Sequence, residues 1–101
     1  MKHFKIILFD EAINDIQNGI DYYKYVSPAI AVKFYKAVNN SFKELKKNPY
    51  FQIRYDNVRM LVIKGFPYAL HFVVNEEAES IIIYGIINTS MTPETSYFFN
   101  K

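Results

Sequence analysis

Cysteine and tryptophan are absent from the 101 residues, and arginine occurs only as Arg54 and Arg59. Without cysteine no disulfide can staple the chain, a usage that fits a reducing compartment. With two arginines, planar forks for bidentate phosphate recognition are scarce. Twelve Lys and Arg against ten Asp and Glu leave a net charge of +2, too small by itself to mark a nucleic-acid binder. The longest apolar run, Ile81–Ile87, falls far short of the roughly 20 residues of a membrane span. Met1-Lys2-His3 leads into a short strand-like stretch rather than a secretory leader. The expectation is a cytoplasmic protein with no membrane association.

What is abundant is aromatic: nine Tyr and nine Phe, 18% of the chain. A chain of this length forms one domain, residues 1–101, with one core, burying about 60–70% of its unfolded surface. Such a core takes in only part of the rings, and the remainder are expected at the surface as partner contacts.

Phe4–Phe9 is short and apolar, as a sheet strand requires. Asp10 is the expected N-cap of a first helix, with Glu11 favouring its dipole. Ala12, Ile13, Ile16, Ile20 and Tyr23 then recur at helical spacing. Gly19 weakens that helix by about 1 kcal/mol relative to Ala. Ser27-Pro28 restarts the chain with a hydroxyl cap and a proline at the first helical position. The second helix carries Ala31, Phe34, Val38, Phe42 and Leu45 on one stripe, with Lys33, Lys36, Asn40, Lys43 and Lys47 on another. Asn48-Pro49 stops it. After a Pro49–Asn57 loop come three strand-like runs, Val58–Ile63, Tyr68–Val74 and Ser80–Ile87, joined by short turns that imply antiparallel hairpins. The fold class is α+β: two antiparallel helices on one face of an antiparallel-rich sheet. By pleat parity Ala69, His71 and Val73 share the face opposite Leu70 and Phe72. Neither face is polar, so the face away from the helices is expected to receive a partner.

In order along the chain stand Asp10-Glu11-Ala12-x-x-Asp15-Ile16, Asn48-Pro49, Arg59 opening a strand, Phe66-Pro67-Tyr68-Ala69-Leu70 and the Ile81–Ile87 strand. This ordered set, spanning nearly the whole chain, resembles the RelE/ParE toxins of bacterial toxin–antitoxin pairs. The resemblance implies a β-α-α-β-β-β domain that inhibits growth and is neutralised by a cognate antitoxin. It implies either cleavage of mRNA at the ribosome, as RelE does, or poisoning of DNA gyrase, as ParE does. No cofactor is called for. RNA cleavage would need cations and a proton donor and acceptor on the open sheet face. Where RelE-like nucleases carry Lys and Arg, this chain has Met60, Val62 and Ala69; near the end of the last strand it has Asn88 and Met91 in place of His and Arg. The reading that follows is ParE-like binding of a protein target, gyrase being the analogue. The alternatives are a RelE-like nuclease and a degenerate member that binds its antitoxin alone.

If the chain is a nuclease, its catalytic residues are drawn from Lys64, His71, Arg59 and Tyr97. If it docks on a partner, Met60, Val62, Ala69 and Val73 are the contact residues. The structural reading of Arg59 is an ion pair with Asp15 or Glu11 capping the core. For His71, between Leu70 and Phe72, it is a hydrogen-bonded core or partner-facing residue, and no second His or carboxylate stands at metal spacing. Tyr68 packs its ring with the hydroxyl at the rim, and the lysine stripe is a solvated face or a surface for an acidic antitoxin or a nucleic-acid backbone.

Overall fold

The alternation of short β-branched runs with two long amphipathic segments resolves into seven elements in the computed structural model, which describes residues 3–89. They are β1 (Lys5–Leu8), α1 (Asp10–Val26), α2 (Pro28–Lys47), β2 (Ile53–Tyr55), β3 (Val58–Val62), β4 (Tyr68–Asn75) and β5 (Ser80–Asn88). The sheet order is β1-β5-β4-β3-β2. Strands β2 to β5 form an antiparallel meander, whereas β1 runs parallel to β5, with Leu8 opposite Ile83. The helical hairpin is the crossover that this parallel pairing requires. The short strand β2 lies inside the stretch expected to be a loop. Only Ile53 and Tyr55 pair with β3, across a register shift, which leaves too little alternation for a sequence pattern to show.

Helix α1 starts one residue earlier than expected. Phe9 occupies the cap position in extended geometry and no side chain caps the helix. Asp10 is instead the first helical residue, where its charge favours the dipole without closing an amide. Ser27 is the whole link between the helices. Its N–H donates to the Tyr23 carbonyl at 2.6 Å, and its carbonyl accepts from Ile30 and Ala31 at 3.0 and 3.1 Å. Its hydroxyl makes no cap, so the expected hydroxyl cap is replaced by backbone bonds and Pro28, which brings no orphan N–H. Helix α2 ends at Lys47 as Asn48-Pro49 dictates.

The core fills the space between the hairpin and one sheet face. Phe34, Val38 and Leu45 of α2 meet Leu61 and Ile63, Leu70 and Phe72, and Ile81, Ile83 and Ile86. Each such side chain fully buried contributes about 1.5–3 kcal/mol. The expected stripe on α1 holds except at Ile13, which is half exposed. Ala12 is fully buried as expected, and Gly19, outside the expected set, is buried as well. Gly19 is there because the Phe34 ring lies where its side chain would be: a Cβ would sit 2.8 Å from Phe34 Cε2. Phe34, Tyr23, Phe66 and Tyr68 form an aromatic quartet with centroids 5.1 to 6.4 Å apart, which fastens the β3–β4 turn to the helices.

Candidate functional site

Strand β5 carries one more residue than β4 at its centre. His71 is opposite Gly85 and Phe72 opposite Ile83, so Tyr84 is the bulged residue. A bulge kinks a strand and re-aims its side chains. Here it presents the Gly85–Ile86 backbone to α1, and the Asp15 carboxylate accepts from the Ile86 N–H at 3.2 Å. A Cβ on Gly85 would meet that carboxylate at 2.6 Å, so the strand backbone is open at this point to admit it. Burial, less the effect of the amide it accepts from, raises the Asp15 carboxyl above the ordinary carboxylate value.

The same bulge stacks the Tyr84 ring on His71, centroids 6.2 Å apart, and Phe9 meets Tyr84 edge-on at 4.9 Å. His71 is 2% exposed. Burial lowers its imidazole to about 4, against a hydrogen bond with the Gly85 backbone that acts the other way. At neutral pH the ring is uncharged. These groups border a hollow of about 780 Å³ on the face away from the helices. Leu8, Phe9, Asp10 and Glu11 line it from the β1–α1 junction, and Tyr55, Asp56, Asn57 and Val58 from the β2–β3 hairpin. Among the described residues that line it are three carboxylates and no lysine or arginine.

A second hollow, about 470 Å³, has the opposite sign. It lies between α2 and the β3–β4 turn, where Lys33, Lys36 and Lys64 accompany one carboxylate, Glu44, over Ala37, Val62 and Phe66.

The three described nuclease candidates, Lys64, His71 and Arg59, are therefore not brought together. Lys64 belongs to the lysine hollow and His71 to the acidic one. Arg59 makes no pair with Asp15 or Glu11; its Nη1 donates to the Phe51 carbonyl at 2.6 Å and its guanidinium lies 5.4 Å from the Tyr50 centroid. Asp15 is committed to Ile86, and the loop before β2 folds close enough to Arg59 to supply the acceptor. Tyr97 and Met91 lie outside the described residues. Of the expected partner contacts, Val62 is 58% exposed and Met60 half-buried, whereas Ala69 and Val73 are buried. Both are on the central strand β4, with neighbours on either side, so of the four only Val62 on β3 is well exposed. Among the described residues no group of three His, Asp or Glu gathers as a metal would need. No described helix is long and apolar enough to cross a membrane.

The Asp15 latch, the Tyr84 bulge and the Gly19–Phe34 contact were not visible as such in the sequence. The available signals were a carboxylate between Ala12 and Ile16 on an otherwise apolar stripe, and glycines inside a helix and a strand.

No protein-family model matches this sequence, and no curated protein does. Among solved structures, the chain is similar to one in the "Chromosomal ParDE TA system from P. aeruginosa", with a TM-score of 0.72 and 20% identity over 83% of this chain and 94% of that one. The α+β, ParE-like fold expected from the ordered motifs is the fold found.

Proposed function

We propose that this protein is the toxin of a type II toxin–antitoxin system, acting in the cytoplasm by binding a protein target and neutralised by a cognate antitoxin. The observation that carries the binding mode is the sign of the reverse-face hollow. In-line cleavage of RNA builds negative charge on a pentacovalent phosphorus, and a nuclease must place cations there. Asp10 and Glu11 line the hollow instead, with no lysine or arginine among its described residues, and its imidazole is neutral. A phosphodiester entering it would meet repulsion before any chemistry. The ParE-like fold supports the toxin–antitoxin setting, and DNA gyrase is the first target to test.

The test compares two assays on purified protein. Inhibited gyrase supercoiling or accumulated cleavage complexes, with translated mRNA left intact, supports the reading. Site-specific cuts in primer extension on translated message that disappear in a Lys64→Ala/His71→Ala variant would replace it with the RelE-like activity. Expression that never arrests growth would leave a member that binds its antitoxin alone.

A further inference from the structure

Strand β3 is only half covered. Its pairing with β2 ends at Arg59, and no described strand lies beside Met60–Val62 on that side. Ile63 donates to the Tyr68 carbonyl at 2.8 Å. In an antiparallel ladder hydrogen-bonded pairs alternate, so the intervening Val62 turns its N–H and C=O outward. An open edge of this kind templates another strand unless charged residues guard it. The guard is missing on this one: Arg59 is committed to Phe51, Val62 is exposed and apolar, and Lys64 lies past the strand's end. Two further cations that share a hollow with Val62 come from α2. Lys33 and Lys36 line that hollow together with Lys64, Val62 and Phe66.

We infer that the β3 edge at Val62 and the adjoining lysine hollow form one docking surface, which takes an extended acidic peptide segment as an added strand. The inference deepens the partner reading above and rests on it for the kind of partner, an antitoxin segment. Charge selects the occupant. Three lysines against one carboxylate favour acidic side chains here, while the carboxylate-lined hollow on the reverse face disfavours them. Main-chain pairing supplies affinity, and alternate side chains of the added strand reach the hollow. A single-stranded RNA would use the same lysines but not the Val62 peptide group.

The full-length protein is titrated with a fluorescein-labelled peptide alternating valine and glutamate, with its lysine-for-glutamate counterpart, and with single-stranded RNA. The acidic peptide is expected to bind at least about tenfold tighter than the basic one, a difference of about 1.4 kcal/mol. Lys33→Glu/Lys36→Glu is expected to remove that preference. Val62→Pro deletes an outward N–H and leaves the β4 ladder intact; with native circular dichroism it is expected to weaken the peptide by about tenfold or more. If that variant is unfolded, slowed exchange of the Val62 amide in the wild-type complex decides the same point. Equal affinity for both peptides, unchanged binding by folded Val62→Pro, an unprotected Val62 amide, or RNA binding with the same lysine dependence and a steep salt slope would each overturn the assignment. These outcomes are separate from the toxin reading: peptide binding without growth arrest removes the function and keeps the surface, and the converse keeps the function and removes the surface.

Discussion

Asp15 and Ile86 are joined by a 3.2 Å hydrogen bond from a strand amide to a helix carboxylate, 71 residues apart in sequence. The bond fixes α1 to the centre of the sheet, next to the bulge that positions Tyr84 and His71. Asp15→Ala leaves a half-buried amide without its acceptor, and denaturant unfolding is expected to show a loss of about 1–3 kcal/mol. Asp15→Asn keeps an acceptor oxygen in place and removes a charge that is costly to bury, so its loss is expected to be smaller than that of Asp15→Ala.

A helix propensity scale makes Gly19→Ala favourable by about 1 kcal/mol. The Phe34 ring at 2.8 Å from the new methyl reverses the sign. Because that ring is fully buried within the aromatic quartet, it cannot swing clear. Net destabilisation of about 1–2 kcal/mol is expected from overpacking. In Gly19→Ala/Phe34→Leu the clash disappears, so the cost of adding the methyl should vanish or invert in that background. A thermal melt of the four proteins in the cycle measures this coupling.

The α2 stripe, the Asn48-Pro49 stop and the hairpin punctuation at Lys64-Gly65-Phe66-Pro67 were legible because each is a local rule: helical period, proline geometry, turn chemistry. What escaped is what depends on residues far apart. Nothing local says that Tyr84 is bulged out of register with His71, yet that shift keeps Ile83 and Ile86 on one face. Gly19 scored as a flaw because its reason, Phe34, lies on another helix. Arg59 shares a strand face with apolar residues and so calls for a partner, but the partner it has is the Phe51 carbonyl with the Tyr50 ring rather than a carboxylate. The apolar residues at Met60, Val62 and Ala69 were readable directly, but the carboxylates around His71 come from β1–α1 and β2–β3 and met only on folding.

His71 makes stability depend on pH in a definite direction. Its folded value, about 4, lies below the ordinary 6.5. The unfolded chain therefore takes up the proton first as pH falls. The contribution of the neutral ring is fully present above pH 6.5 and is lost progressively down to about pH 4, a loss of up to about 3 kcal/mol. Asp15 works in the opposite sense, because its folded value is raised and protonation relieves a buried charge as pH falls. Thermal midpoints measured across this window should fall in wild type and fall less in His71→Gln, whose side chain does not titrate; a slope unchanged by the substitution would remove His71 as its source.

Arg59 is the site at which a structural and a catalytic role make opposite predictions. Its guanidinium donates to the Phe51 carbonyl at 2.6 Å and lies over Tyr50, whose hydroxyl donates to Glu76 at 2.6 Å. The chain from β3 through the β2 loop to the β4–β5 turn thus passes through one cation. Removing it in Arg59→Ala abandons a charge-assisted bond, with an expected cost of about 1.5–3 kcal/mol. Arg59→Lys retains the charge but not the planar fork, and is expected to recover only part of that stability. Under the binding reading, both variants still bind the target once folded, so dose–response curves in the gyrase assay should coincide with wild type below their melting range. If Arg59→Lys folds as wild type yet loses all activity, the arginine touches the target or its substrate, and its role as a fastener of the β2 loop is secondary.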